Sequence, residues 1–223
     1  MFKAIAYKEW LKIRWFVIGG AAVSLLWIIL TVLLDVYSQM KFTEAISYWY
    51  NVVFRGVQFY SSYMYIPMLF GFTLAAAQFV PETTDKRIKL TFHLPLNENT
   101  VLLQMLALGL ISLVSIFIVS AVLLVITSLI YFPTGVASSM VITLAPWFLG
   151  GLVTYVGAAA VILEPNWWHR IVSGLVGIGF LFLLYNNHWY SVYQRCLLTF
   201  TLLGLCFALS LLLSGYRFRK GAV

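Results

Sequence analysis

The sequence predicts an all-α integral membrane protein. It should have six transmembrane helices, an N-terminal interfacial helix and a short amphipathic helix in the connection between spans two and three. Three observations lead there. Of 223 residues, 62% are hydrophobic and only 9% charged, against about 25% charged in a soluble domain. The uncharged stretches repeatedly reach the roughly 20 apolar residues that a bilayer-spanning helix needs. The basic residues are segregated to one side of the spans that these stretches define. Residues 1–223 therefore read as one membrane domain, with no soluble domain of any size.

Residues 1–14 have Phe2, Ala6, Trp10 and Ile13 on one helical stripe, with Lys8 and Lys12 off it. Such a helix can lie in the headgroup plane, anchored by Lys8, Trp10, Lys12, Arg14 and Trp15. A plain extension of the first span is the competing reading. Span one is expected at 15–36, and its run from Trp15 to Leu34 is too long for a secretory h-region. Residues 37–59 form a polar and aromatic connection. Span two follows at 60–80, with Pro67 read as a kink.

Residues 99–163 carry no charge; as one helix they would measure about 98 Å, far too long for one crossing. The Tyr131-Phe132-Pro133-Thr134-Gly135 turn signal divides them into span three, 100–130, and span four, 136–163. Glu164-Pro165-Asn166 ends span four. Span five is expected at 168–185, an interfacial turn at 185–190, and span six at 196–213.

With these spans, eleven Lys and Arg fall on the side holding both termini and three on the other. The positive-inside rule makes the first side cytoplasmic. The other side crowds Tyr48, Trp49, Tyr50, Phe54, Phe59, Tyr60, Tyr63 and Tyr65 into eighteen residues. They read as an interfacial aromatic belt or, more sharply, as a lid.

Several functions find no support. The net charge of +7 sits at span ends, where it anchors helices to headgroups, and no basic tract suggests nucleic-acid binding. The spans lack interior Lys, Arg, Asp and Glu, which ion-driven transporters and proton relays keep. There is no H-E-x-x-H, G-x-S-x-G or G-x-x-x-x-G-K-[ST] motif. His93, His169 and His188 are widely separated, and the ten-residue spacing of Cys196 and Cys206 matches no metal motif.

The informative segment is the connection between spans two and three. Thr84 can cap a helix, Asp85 suits its first turn, and Ile88 and Phe92 share a face. Pro95 ends it at Leu94, before Leu96. Asn97 can cap span three, with Glu98 in its first turn. An amphipathic helix held at both ends by spans makes a lever for a cytoplasmic partner.

Here the chain resembles the permease subunits of type-2 ATP-binding-cassette (ABC) exporters. The resemblance rests on the interfacial helix before six spans, on Glu82 after span two, and on Leu94-Pro95-Leu96, whose proline lies thirteen residues later. It departs at Lys86-Arg87, where the family often has Gly-Thr, and at Asn97-Glu98, where it often has Ser-Arg. The resemblance implies that Glu82, Asp85, Lys86, Arg87, Ile88, Phe92, Leu94, Pro95 and Leu96 form a coupling helix docking on a cytoplasmic ABC ATPase. It also implies a homodimer or a pair with a paralogous permease, in the cytoplasmic (inner) membrane of a prokaryote. This chain would bind no cofactor; ATP and Mg would belong to the ATPase. The competing reading is a non-transport membrane scaffold or assembly factor, and a lipid-modifying enzyme ranks third.

Overall fold

The computed structural model describes residues 2–42, 44–84, 98–186 and 191–220. Among them every regular element is helical. Helix α1, Phe2–Trp27, continues through a π-helical turn, Ile28–Leu33, into α2, Leu34–Phe42. Helix α3 is Ala45–Phe54, and a 3-10 turn at Ser61–Tyr63 precedes α4, Ile66–Thr84. Then come α5, Glu98–Tyr131, α6, Thr134–Leu163, α7, Trp167–Tyr185, and α8, Leu197–Lys220.

Five stretches are long and apolar enough to cross a membrane: Ile5–Phe42, Ser61–Thr84, Thr100–Tyr131, Thr134–Leu163 and Trp167–Tyr185. The apolar stretch of α8, Leu197–Leu209, is shorter among the described residues. The chain is thus a helical protein suited to several membrane crossings.

The elements differ from expectation in three places. Residues 1–14 were expected as a separate interfacial helix, but α1 shows no break near Arg14. Nothing in that stretch breaks a helix, and Ile5 and Ile13 are buried along the same face. As helix, residues 2–42 measure about 60 Å, twice the hydrocarbon thickness. Second, Pro67 is the second residue of α4, where a missing amide hydrogen is harmless. The internal prolines are Pro81 in α4 and Pro146 in α6. Third, the 37–59 connection is largely helical. Gly56, at φ 69°, turns the chain out of α3, and the Val57 amide donates back to the Asn51 carbonyl at 3.1 Å.

Helix α6 is the central element, packing on α4, α5, α7 and α8, while α1 lies on α4 and α5. The α4–α6 crossing is close because Gly71 meets Gly151: a Cβ on Gly71 would collide with the Gly151 carbonyl. Lipid gives helices no hydrophobic reason to associate, so such backbone contact supplies the packing.

Two cores result, one toward each end of the bundle. The first holds Ile13, Phe79, Leu102, Met105, Tyr155 and Leu163; this end, with Lys8, Lys12 and Arg217, is the basic pole. The second holds Val36, Phe59, Tyr60, Tyr63, Phe132 and Trp147 and forms the aromatic pole. There Phe59 stacks on Phe132 at 5.1 Å, Tyr60 meets Trp147 at 5.5 Å, and Tyr65 stacks on Tyr185 at 5.7 Å. The aromatic cluster therefore divides. Phe59, Tyr60 and Tyr63 close the end of the bundle, while Trp49, Tyr50 and Phe54 stay exposed. Between the poles, Ser120 donates to the Ile116 carbonyl at 2.8 Å. Its oxygen therefore accepts from Ser24 at 2.7 Å, and Ser24 accepts from the Tyr63 hydroxyl at 2.9 Å.

Candidate functional site

The densest buried polar arrangement lies at the basic pole, where four helices meet. Helix α1 presents Ile5, Glu9 and Ile13 inward, one turn apart. Helix α4 presents Leu74, Gln78 and Glu82 at the same spacing. Helix α5 contributes Met105 and Gly109, and α6 contributes Tyr155.

Gln78 is the junction. Its Nε2 donates to Glu9 Oε2 at 3.1 Å and to the Met105 carbonyl at 2.9 Å. Its Oε1 accepts from the Tyr155 hydroxyl at 2.7 Å. One amide thus joins α1, α5 and α6 to α4 with both donor hydrogens used. Gly109 makes room: a Cβ there would collide with the Tyr155 ring and hydroxyl and lie 2.7 Å from Gln78 Oε1.

The ionic layer lies one turn nearer the end of α4. Lys12 Nζ is 2.8 Å from Glu9 Oε1 and 2.6 Å from Glu82 Oε1. Lys8 Nζ reaches Glu82 Oε1 at 3.1 Å. Both carboxylates are 1% exposed, Lys12 21% and Lys8 45%. The four charges cancel. Glu82 Oε2 is buried without a hydrogen-bond partner among the described residues.

This geometry holds the four helices together. Among the described residues no group of three His, Cys, Asp or Glu could hold a metal ion. A second ionic contact at this pole ties α8 to the end of α6. Arg217 Nη1 lies 3.3 Å from each oxygen of Glu164, which is 1% exposed, and Arg170 Nη2 donates to the Glu164 carbonyl at 2.8 Å.

The expected site residues fare unequally. Glu82 sits in the last turn of α4, buried toward α1. Asp85, Lys86, Arg87, Ile88, Phe92, Leu94, Pro95 and Leu96 lie outside the described residues, as do His93 and His188. Thr84 is the last residue of α4. Of the expected anchors, Trp10 and Trp15 are exposed, and the Arg14 guanidinium lies 5.4 Å over the Trp15 ring. Lys8 and Lys12, expected at headgroups, pair with the buried acids.

Glu9, Gln78, Gly109 and Tyr155 were missed. The only sequence hint is an acid and an amide in otherwise basic or apolar surroundings. The hydropathy stripe chose Trp10 where the inward residue is Glu9.

Fold and site together define a multi-pass helical membrane protein whose helices are joined at one pole by a buried ionic cluster. No family model, curated protein or solved structure matches the chain.

Proposed function

We propose that this chain is the membrane subunit of an ABC exporter: six spans, both termini in the cytoplasm, and a separate ATPase docked beneath. One observation carries the reading. The Glu9–Lys12–Glu82–Gln78–Tyr155 cluster clamps α1, α5 and α6 to the end of α4, immediately before the 85–97 connection. A push on that connection is then delivered to four helices at once. The basic pole is the cytoplasmic side on this reading, by the eleven-to-three distribution of Lys and Arg.

The mechanism is mechanical. ATP, with Mg, closes the ATPase dimer and moves the connection carrying Asp85 to Leu96. The cluster transmits that displacement to α1, α5 and α6, and a route opens between two membrane halves, supplied by a second copy or a paralogue. The chain itself performs no bond chemistry. The uncharged interiors of the spans suit a lipophilic or uncharged cargo.

The test is co-expression with the flanking genes of a prokaryotic host, followed by affinity purification in mild detergent. An ABC ATPase should copurify and hydrolyse ATP in complex with this chain. Recovery of the intact chain without any ATPase would sink the proposal.

A further inference from the structure

The bundle carries a groove that the proposed transport function does not use. It runs between α6 and α7, holds about 200 Å³, and is lined by Gly157, Ala158 and Val161 on one side and Gly174, Gly177 and Ile178 on the other. Ile178 at its edge is 65% exposed, and Val172, Leu175 and Phe182 nearby are also exposed, so the groove opens sideways from the bundle.

The α7 lining follows one helical stripe, and one turn beyond Gly174 that stripe reaches Arg170. Arg170 does not line the groove itself; it lies one turn outside it, toward the basic pole. Its Nη2 bonds a backbone carbonyl, that of Glu164, at 2.8 Å. The Glu164 carboxylate is engaged by Arg217 instead. Arg170 Nε is buried without a partner among the described residues, and its guanidinium lies 5.7 Å from the Trp167 ring. Trp167 and Trp168 are 66% and 74% exposed, which places this level at a headgroup interface. The N-terminus of α7 adds positive potential at the same point.

We propose that this groove holds one anionic phospholipid, with an acyl chain along Gly157, Ala158, Gly174 and Gly177 and its phosphate on Arg170. The charge pattern selects this occupant: an apolar slot with a cation one turn beyond its end, whose carboxylate neighbour is already paired, matches an acyl chain joined to a phosphate. A second copy of the chain fits less well. Two-fold pairing through α7 would bring two Arg170 guanidinium groups to the same level.

The test needs no ATPase and so stands apart from the exporter reading. The full chain is purified in mild detergent, stripped of lipid, and offered phosphatidylglycerol or phosphatidylcholine. Bound lipid is then counted by native mass spectrometry. One phosphatidylglycerol per chain should bind in preference to phosphatidylcholine. Arg170→Gln should weaken its retention roughly tenfold, as expected for losing a charge-assisted contact. Gly174→Leu should abolish retention by filling the slot; a Cβ there meets only Val161, at 3.8 Å. Gly179→Leu, where a Cβ meets nothing within 4 Å, should bind as the parent does. Should Gly174→Leu fail to fold, the Arg170→Gln comparison decides alone. Equal binding of both lipids, undiminished binding by Arg170→Gln, or undiminished binding by a folded Gly174→Leu would each overturn the proposal.

Discussion

Lys12 is the residue that both buried carboxylates share. Its ammonium lies within 2.8 Å of Glu9 and 2.6 Å of Glu82, both carboxylates 1% exposed. Lys12→Met keeps the side-chain length and removes the charge. Two buried carboxylates then face one another with only Lys8 and Gln78 to compensate. Removing one partner of a buried ion pair costs about 3–5 kcal/mol. Lys8, at 45% exposure, still reaches Glu82, so the lower end of that range, about 3 kcal/mol, is expected. For a chain of this length that is a fall in Tm on the order of 10 °C. The assay is thermal unfolding in detergent, followed by tryptophan fluorescence. Glu82→Gln alone should also destabilise, and the double variant should lose less than the sum of the two, by about 1–3 kcal/mol. Additive effects, or a Lys12→Met protein melting within a degree of the parent, would show that these charges are not paired in a buried site.

Two further outcomes are expected. Gly109→Ala should impair folding severely, because its Cβ collides with Tyr155 against Gln78, whereas Gly19→Ala meets nothing within 4 Å and should stabilise by about 0.5–1 kcal/mol. Expression yield and Tm compare the two. If the six-span orientation holds, Lys41→Cys in a Cys196→Ser/Cys206→Ser background should be labelled in intact cells by a membrane-impermeant maleimide; protection of that position until the cells are broken would reverse the topology.

The parts of the fold that were legible in the sequence share one property: local chemistry decides them. Pro133 breaks a 65-residue uncharged run because the residue before a proline avoids the α region: α5 ends at Tyr131 and α6 begins at Thr134, with Gly135 in its first turn. Glu164-Pro165-Asn166 was expected to end span four, and α6 ends at Leu163; that Asn166 also caps α7, its Oδ1 accepting from the Trp168 amide at 3.0 Å, was missed. What stayed hidden depends on neighbours distant in sequence. Hydropathy treats Glu9 as a solvent residue, yet it is buried because Gln78 and Lys12 satisfy it. Gly109 looks like any small residue in an apolar helix until Tyr155 is placed against it. The aromatic run from Tyr48 to Tyr65 is uniform as sequence. Only the stacking of Phe59 on Phe132 and the contact of Tyr60 with Trp147 separate the residues that close the bundle from those that stay exposed.

The two poles are held by different forces, and this bears on where the protein can move. At the basic pole, charged partners sit at 2.6–3.3 Å with their carboxylates 1% exposed. Separating them strands a charge, so these helices resist independent motion. At the aromatic pole the contacts are ring on ring at 5.1–5.7 Å. Such contacts contribute about 0.5–1.5 kcal/mol each and tolerate several geometries. The π-helical turn Ile28–Leu33 adjoins this second pole, and π-turns recur where helices adjust for function. A displacement entering at the basic pole would carry α1, α4, α5 and α6 together and be absorbed where the rings can repack. On the exporter reading, the stiff end faces the ATPase and the yielding end faces outward, so the gate is the aromatic pole. Locking α1 to α5 by a Ser24→Cys/Ser120→Cys disulfide, next to Tyr63 of the aromatic pole, should then block transport while leaving ATPase docking intact. Undiminished transport in the oxidised protein would place the gate elsewhere.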